Sequence, residues 1–118
     1  MKEAPIKPYT EERPWGNFVK FTENIPSTVK IITVKAEQAF SLQFHKNREE
    51  FWHIISGTGT VTIGTDQLQI APGQDYFVPK DTQHRVLAST EIVMLEIALG
   101  QFDENDIVRI EDRYGRIK

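Results

Sequence analysis

Apolar and polar residues alternate along most of this chain with the two-residue period of β-strands, and no 3.6-residue helical period competes with it. Thr28 to Lys35, "TVKIITVK", is rich in β-branched residues and predicts a strand. Gly16 to Glu23 predicts one before it, and Phe40 to His45, "FSLQFH", one after it. Glu50 to Gly64 predicts two strands joined by a hairpin turn at Ser56-Gly57-Thr58-Gly59. Gln67 to Pro79 predicts two more, broken at the turn dipeptide Pro72-Gly73. "HRVLA" and "EIVMLEIAL" complete the series. The prolines at positions 5, 8 and 14 predict an extended arm over residues 1–15, and the tail from Asp103 onward predicts a short helix. Eight or more short strands with frequent Gly and Pro breaks predict an all-β sandwich or barrel.

Composition narrows this reading. A chain of 118 residues has room for one domain and one core. A net charge of -3 gives no general attraction for nucleic acid or an anionic membrane. The absence of cysteine excludes disulfides, a thiolate metal site and a cysteine nucleophile. The N-terminal stretch lacks the pattern of a signal peptide, and no apolar run reaches membrane-spanning length, so a cytoplasmic location is expected.

The chemistry concentrates in "FSLQFHKNREEF", Phe40 to Phe51. Strand parity puts Gln43 and His45 on one face, and Glu50 begins the next strand. If Glu50 shares their side, three donors converge, and His84 supplies a fourth from a distant strand. Two neutral imidazoles, an amide oxygen and one carboxylate suit a divalent ion; Zn²⁺ stands first, with Mn²⁺, Fe²⁺, Co²⁺ and Ni²⁺ open. A lone strand histidine is more often a hydrogen-bonded structural residue than a ligand, so the second half of the pattern matters. That half is "GQDYFVPKDTQH", in which Gly73, Pro79 and His84 are separated by five and four residues. Glu96 and Lys30 each interrupt an apolar strand. A carboxylate in "IVMLEIAL" is costly unless it lines a polar cavity, so Glu96 is the candidate general base, with a ligand-supporting or salt-bridged role equally open. Lys30 is the candidate for assisting proton transfer or holding an anion, against the ordinary reading of a strand lysine that reaches to solvent. Lys46 and Arg48 read as solvated loop residues, and His53 as structural.

The two stretches together resemble the paired signature motifs of the cupin superfamily, with Gln43 in place of the first histidine. "SLQFHKNREEFW" further resembles the type II phosphomannose isomerases, as do "RPWGNF", "VKIITVK" and "DIVRIEDRYGR", so the likeness covers nearly the whole chain. Phe51 stands where that family usually has His, Asp81 where the second motif usually has Gly, and Ala88 where many cupins have Asn. The resemblance implies a single cupin domain over 1–118, a double-stranded β-helix or jelly-roll barrel, with residues 103–118 closing near the pocket. It implies one divalent metal on Gln43, His45, Glu50 and His84. The expected activity is interconversion of mannose 6-phosphate and fructose 6-phosphate through an enediol. Glu96 and Lys30 would be catalytic, and Arg109, Tyr114, Arg116 and Arg85 would hold the sugar phosphate. A homodimer is expected on the same ground, with neither nucleic acid nor membrane as a partner. The alternatives are a non-catalytic metal-containing sugar-binding or sensor module, or a small oxygen-using cupin enzyme.

Overall fold

The structure is a computed structural model, and it describes residues 6–117. The described residues form eleven strands and no helix. They are β1 (Tyr9–Arg13), β2 (Gly16–Lys20), β3 (Thr28–Val34), β4 (Leu42–Phe44), β5 (Arg48–Ser56), β6 (Gly59–Ile63), β7 (Asp66–Ile70), β8 (Asp75–Val78), β9 (His84–Ala88), β10 (Ile92–Gly100) and β11 (Val108–Glu111). Three sheets result, ordered β1-β2, β3-β10-β5-β8 and β11-β4-β9-β6-β7. All pairings are antiparallel.

The two larger sheets enclose one apolar core. Trp52 and Ile54 of β5, Ile92 and Met94 of β10, and Val34 of β3 meet Val61, Ile70, Val86 and Ala88 of the opposite sheet. These residues are the inward half of the alternating pattern, so the strand period that predicts the elements also places the core. A smaller cluster covers the outer face of β5 and β10, where Ile6 and Phe21 pack against Phe51 and Ile97.

Three sequence expectations change. The expected arm is partly a ribbon: β1 and β2 pair around Pro14-Trp15, with Trp15 exposed at the tip; residues 1–5 of the arm lie outside the described residues. The Ser56–Gly59 turn does not join a hairpin, because β5 and β6 belong to different sheets. Gly57 sits at this corner with φ 95°, and a Cβ there would run into the Glu91 carbonyl oxygen, so the chain can turn between sheets only with glycine. The real hairpin is β6–β7, where Ile63 pairs with Asp66 across Gly64-Thr65. The expected helix after Asp103 is instead a β-turn followed by β11. The Asp106 amide donates to the Asp103 carbonyl at 3.0 Å, and the Asp103 side chain accepts from the Asn105 amide at 2.9 Å.

Candidate metal centre

Two rows of side chains face each other at one end of the core. Across the first large sheet, Lys30, Glu96, Trp52 and Tyr76 are register partners on β3, β10, β5 and β8. Across the second, Arg109, Gln43, His84 and Ile63 are register partners on β11, β4, β9 and β6. Directly paired residues share a face, so two sequence-remote rows become opposite walls. The inward positions of the first sheet run from apolar (Val34, Ile54, Met94) to ionisable (Lys30, Glu50, Glu96) toward this end. The result is a hollow of about 230 Å³ lined by Lys30, Glu96 and Trp52 of the first row, by Arg109, Gln43 and His84 of the second, and by Glu50.

His45, Glu50 and His84 bring ligand-type atoms within 4.8 Å of one another, and all three residues are buried. His45 Nε2 lies 3.3 Å from Glu50 Oε2, and His84 Nε2 lies 3.7 Å from Glu50 Oε1. Each imidazole is oriented by a carbonyl: His45 Nδ1 donates to Asp106 O at 2.6 Å, and His84 Nδ1 donates to Thr82 O at 2.9 Å. A carbonyl can only accept, so the ring proton sits on Nδ1 and Nε2 presents its lone pair to the cluster. Burial pushes His84 below the ordinary imidazole value, against the raising effect of Glu50, and keeps the ring neutral. His84 Nε2 is buried and has no hydrogen-bond partner. An orphaned buried acceptor beside a carboxylate is costly as it stands, and a cation would satisfy it. The turn carrying His84 is tied to the other half of the cluster, since the Asp81 amide donates to the His45 carbonyl at 2.8 Å. Asp81 has φ 60°, the left-handed geometry that Asp tolerates in place of glycine.

Gln43 is beside this triad with its amide turned away from ligation. Its Oε1 accepts from Ser41 Oγ at 2.5 Å, and its Nε2 faces His45 Nε2 at 3.4 Å. Turning the amide over would aim the oxygen at the cluster, and the Ser41 hydroxyl could then accept from Nε2. The donor set therefore fits a divalent cation held by His45, Glu50 and His84, with Gln43 available as a fourth ligand after that turn.

Sequence reasoning missed Arg48. It is a buried residue at the first position of β5, not a solvated loop residue. Its Nε donates to Glu50 Oε2 at 3.0 Å, Nη1 to Asp103 O at 3.1 Å, and Nη2 to His45 Nε2 at 3.3 Å. The signal is the Arg-x-Glu parity of Arg48 and Glu50, which a strand expected to begin at Glu50 hides. His45 Nε2 has a single lone pair, so ligation there would replace the Arg48 contact.

Glu96 is buried near Glu50, and the Trp52 indole donates to both carboxyls at 3.3 Å. Burial, then the Glu50 charge and a hydrogen bond with Glu50, push the Glu96 carboxyl up to about 8. Burial also raises Glu50, but the neighbouring His84 and His45, the Glu96 bond and Arg48 outweigh it and hold Glu50 below the ordinary value. Near neutral pH, Glu96 is thus protonated and donates to the Glu50 carboxylate. This is the ligand-supporting arrangement that the sequence leaves open beside the general-base role.

The expected anion-binding residues divide. Arg109 lines the hollow, and its Nε is buried without a hydrogen-bond partner. Lys30 lines it too, with its Nζ bonded to Glu104 at 2.6 Å. Tyr114 and Arg116 do not reach the triad. They border a separate hollow of about 730 Å³ beside Lys35 and Gln38, where Tyr114 donates to the Gln38 amide oxygen and Arg116 is paired with Asp112. The tail closes the triad hollow only through its first part, up to Arg109. Arg85 points away from His84, as strand adjacency requires, and is spent on the Phe40 carbonyl and on Glu111. His53 is a surface residue paired with Asp75 at 2.6 Å.

Antiparallel sheets closed over an inward-facing cluster of two histidines and a carboxylate define a cupin. A cupin protein from Bacteroides fragilis shares the fold at TM-score 0.57 and 23% identity, over 68% of this chain and 74% of that one. A provisionally named sugar phosphate isomerase from Acidithiobacillus ferrooxidans matches at TM-score 0.58 and 26% identity, over 65% of this chain and 51% of that one. Within the cupins, this chain belongs to the family described as mannose-6-phosphate isomerase C-terminal, whose model matches residues 4–112. It is 39% identical over 107 residues to the mannose-1-phosphate guanylyltransferase of Klebsiella pneumoniae, a match covering 88% of this chain and 23% of that protein. The chain thus spans less than a quarter of the length of that relative. This relative overturns the expectation of an aldose–ketose isomerase: it is named for nucleotidyl transfer, and the non-catalytic alternative accords better with a domain that forms a minor part of such a protein.

Proposed function

We propose that this chain is a non-catalytic, metal-holding cupin module that binds a sugar phosphate of the mannose type. The observation that carries the reading is the buried His45–Glu50–His84 triad, with an orphaned His84 Nε2, whose Glu50 and His84 line the same hollow as Arg109 and Lys30. The mannose phosphate class is taken from the family description and from the name of the relative. A bound divalent ion would supply a Lewis acid for sugar oxygens. The chain's own residues would do the rest. His45, Glu50 and His84 hold the ion, with zinc the first choice for this nitrogen and oxygen set. Protonated Glu96 and the Trp52 indole fix the Glu50 carboxylate. Arg109 offers a planar donor fork to the phosphate.

The test is calorimetric titration of the purified chain with mannose 6-phosphate and with mannose, after zinc loading and again in chelator. Binding of the phosphate ester only in the metal-loaded state is expected. Equal affinity with and without metal, or for sugar and sugar phosphate, would remove the proposal.

A further inference from the structure

Among the described residues, three cationic side chains line the triad hollow, and they differ in what already occupies them. Arg48 is spent on Glu50, His45 and the Asp103 carbonyl. Arg109 keeps a buried Nε with no partner. Lys30 is held by a single carboxylate, Glu104, at 2.6 Å, while its ammonium rests over the Phe102 ring at 4.5 Å. Glu104 is otherwise a surface residue, its side chain 71% exposed. It reaches into the hollow from outside and places an anionic group on Lys30.

We propose that Glu104 is a built-in competitor for the anionic end of the ligand: a phosphate group entering the hollow displaces the Glu104 carboxylate from Lys30 and is then held between Lys30 and Arg109. This inference rests on the sugar-phosphate reading of the same site and adds to it the mode of entry. The turn geometry makes the exchange cheap. Glu104 occupies the second position of the β-turn Asp103–Asp106, whose backbone is closed by the Asp106-to-Asp103 hydrogen bond. The far shoulder is pinned as well, because the Asp106 carboxylate accepts from the Lys46 and Asn47 amides at 2.9 Å each. The near shoulder is held by Arg48 on the Asp103 carbonyl. The Glu104 side chain can therefore swing to solvent by a change of rotamer with the turn left in place. Phe102, stacked on both Lys30 and Arg48, keeps the lysine aimed inward when the carboxylate leaves. A phosphate offers more charge and more acceptor oxygens than a carboxylate, and an exposed ion pair is weak competition for it.

The test compares zinc-loaded wild type, E104Q and D66N by calorimetric titration with mannose 6-phosphate and with mannose. Asp66 is an exposed acid on β7, outside the hollow, so D66N measures the effect of net charge alone. E104Q should bind mannose 6-phosphate on the order of fivefold more tightly, the scale of an exposed ion pair. Mannose affinity and zinc content should not change, and D66N should match wild type. If wild type and E104Q bind the phosphate ester equally, or D66N tightens as much as E104Q, the competitor role is wrong while the sugar-phosphate reading stands. If E104Q binds and wild type does not, the competitor role is supported in its strongest form. If neither binds, both proposals fall.

Discussion

Glu96 and His84 show how burial decides the chemistry of a residue whose type alone leaves it open. Glu96 holds a proton up to about 8, whereas an unfolded chain releases it near 4.5. Its folded value is raised, so its contribution to stability is complete below about pH 4.5 and is lost as the pH climbs through about 8. His84, held below its ordinary value, opposes this below about pH 6.5, so metal-free protein in chelator should melt at lower temperature as pH rises from about 6.5 through about 8, with a loss on the order of 2 kcal/mol. E96Q keeps a donor for Glu50 without a titrating proton, so above about pH 6.5, where His84 no longer takes up a proton in either state, its melting curve should be nearly flat. A wild-type profile as flat as that of E96Q would show that Glu96 is ionised throughout. For His84, the expected outcome is loss of zinc affinity in H84A by more than about 100-fold, exceeding what a lost outer partner costs. Competition against a chelating dye measures it, and unchanged affinity would exclude His84 as a ligand.

At the scale of elements, two connections hold the site together, and neither is a regular strand. The Gly57 corner carries the chain from one sheet to the other. G57A would strain a left-handed backbone and push a methyl group into the Glu91 carbonyl, so destabilisation of about 3 kcal/mol is expected by urea unfolding. The 101–107 connection closes the hollow through Asp106, whose carboxylate caps two amides and whose carbonyl orients His45. D106A removes the caps and leaves the carbonyl. It should weaken zinc binding about tenfold with a smaller effect on melting temperature, the mark of a positioning role. Equal and parallel losses in both would make the effect a general one on folding.

For the molecule as a whole, the two sheets meet over a core that is apolar at one end and ionisable at the other. Binding a cation to the folded form alone should raise stability by mass action. At zinc concentrations about 100-fold above the dissociation constant the gain is about 2.7 kcal/mol, which shifts the melting temperature of a domain this size by about 10 °C. Differential scanning calorimetry with zinc and then chelator should show the rise and its reversal. No shift at saturating metal would mean that the folded triad binds none.

Much of this was legible in the residues. β-branched alternation marks β3, β5 and β10, and the same parity that buries Met94 and Ile54 turns Glu96 and Glu50 inward. The spacing from Gly73 through Pro79 to His84 announces a strand-opening histidine after a turn. The misreadings share one cause. The Ser56–Gly59 turn looks like a hairpin because its residues suit one, but whether the flanking strands pair is settled by partners far away in the chain. Arg48 looks solvated because its neighbours Lys46 and Asn47 are, and only the pairing of β5 with β10 brings it inside. Arg85, Tyr114 and Arg116 carry the right charge or donor for a phosphate, yet nearby Glu111, Gln38 and Asp112 already engage them. Local periodicity and turn chemistry act over a few residues, so the sequence by itself determined the strands, their inward faces and the donors those faces carry. Which donors meet depends on sheet register between strands as distant as β4, β9 and β11. That is a long-range property, so only the tertiary structure decided that Arg109, Gln43 and His84 form one wall and that Glu104 sits on Lys30 opposite.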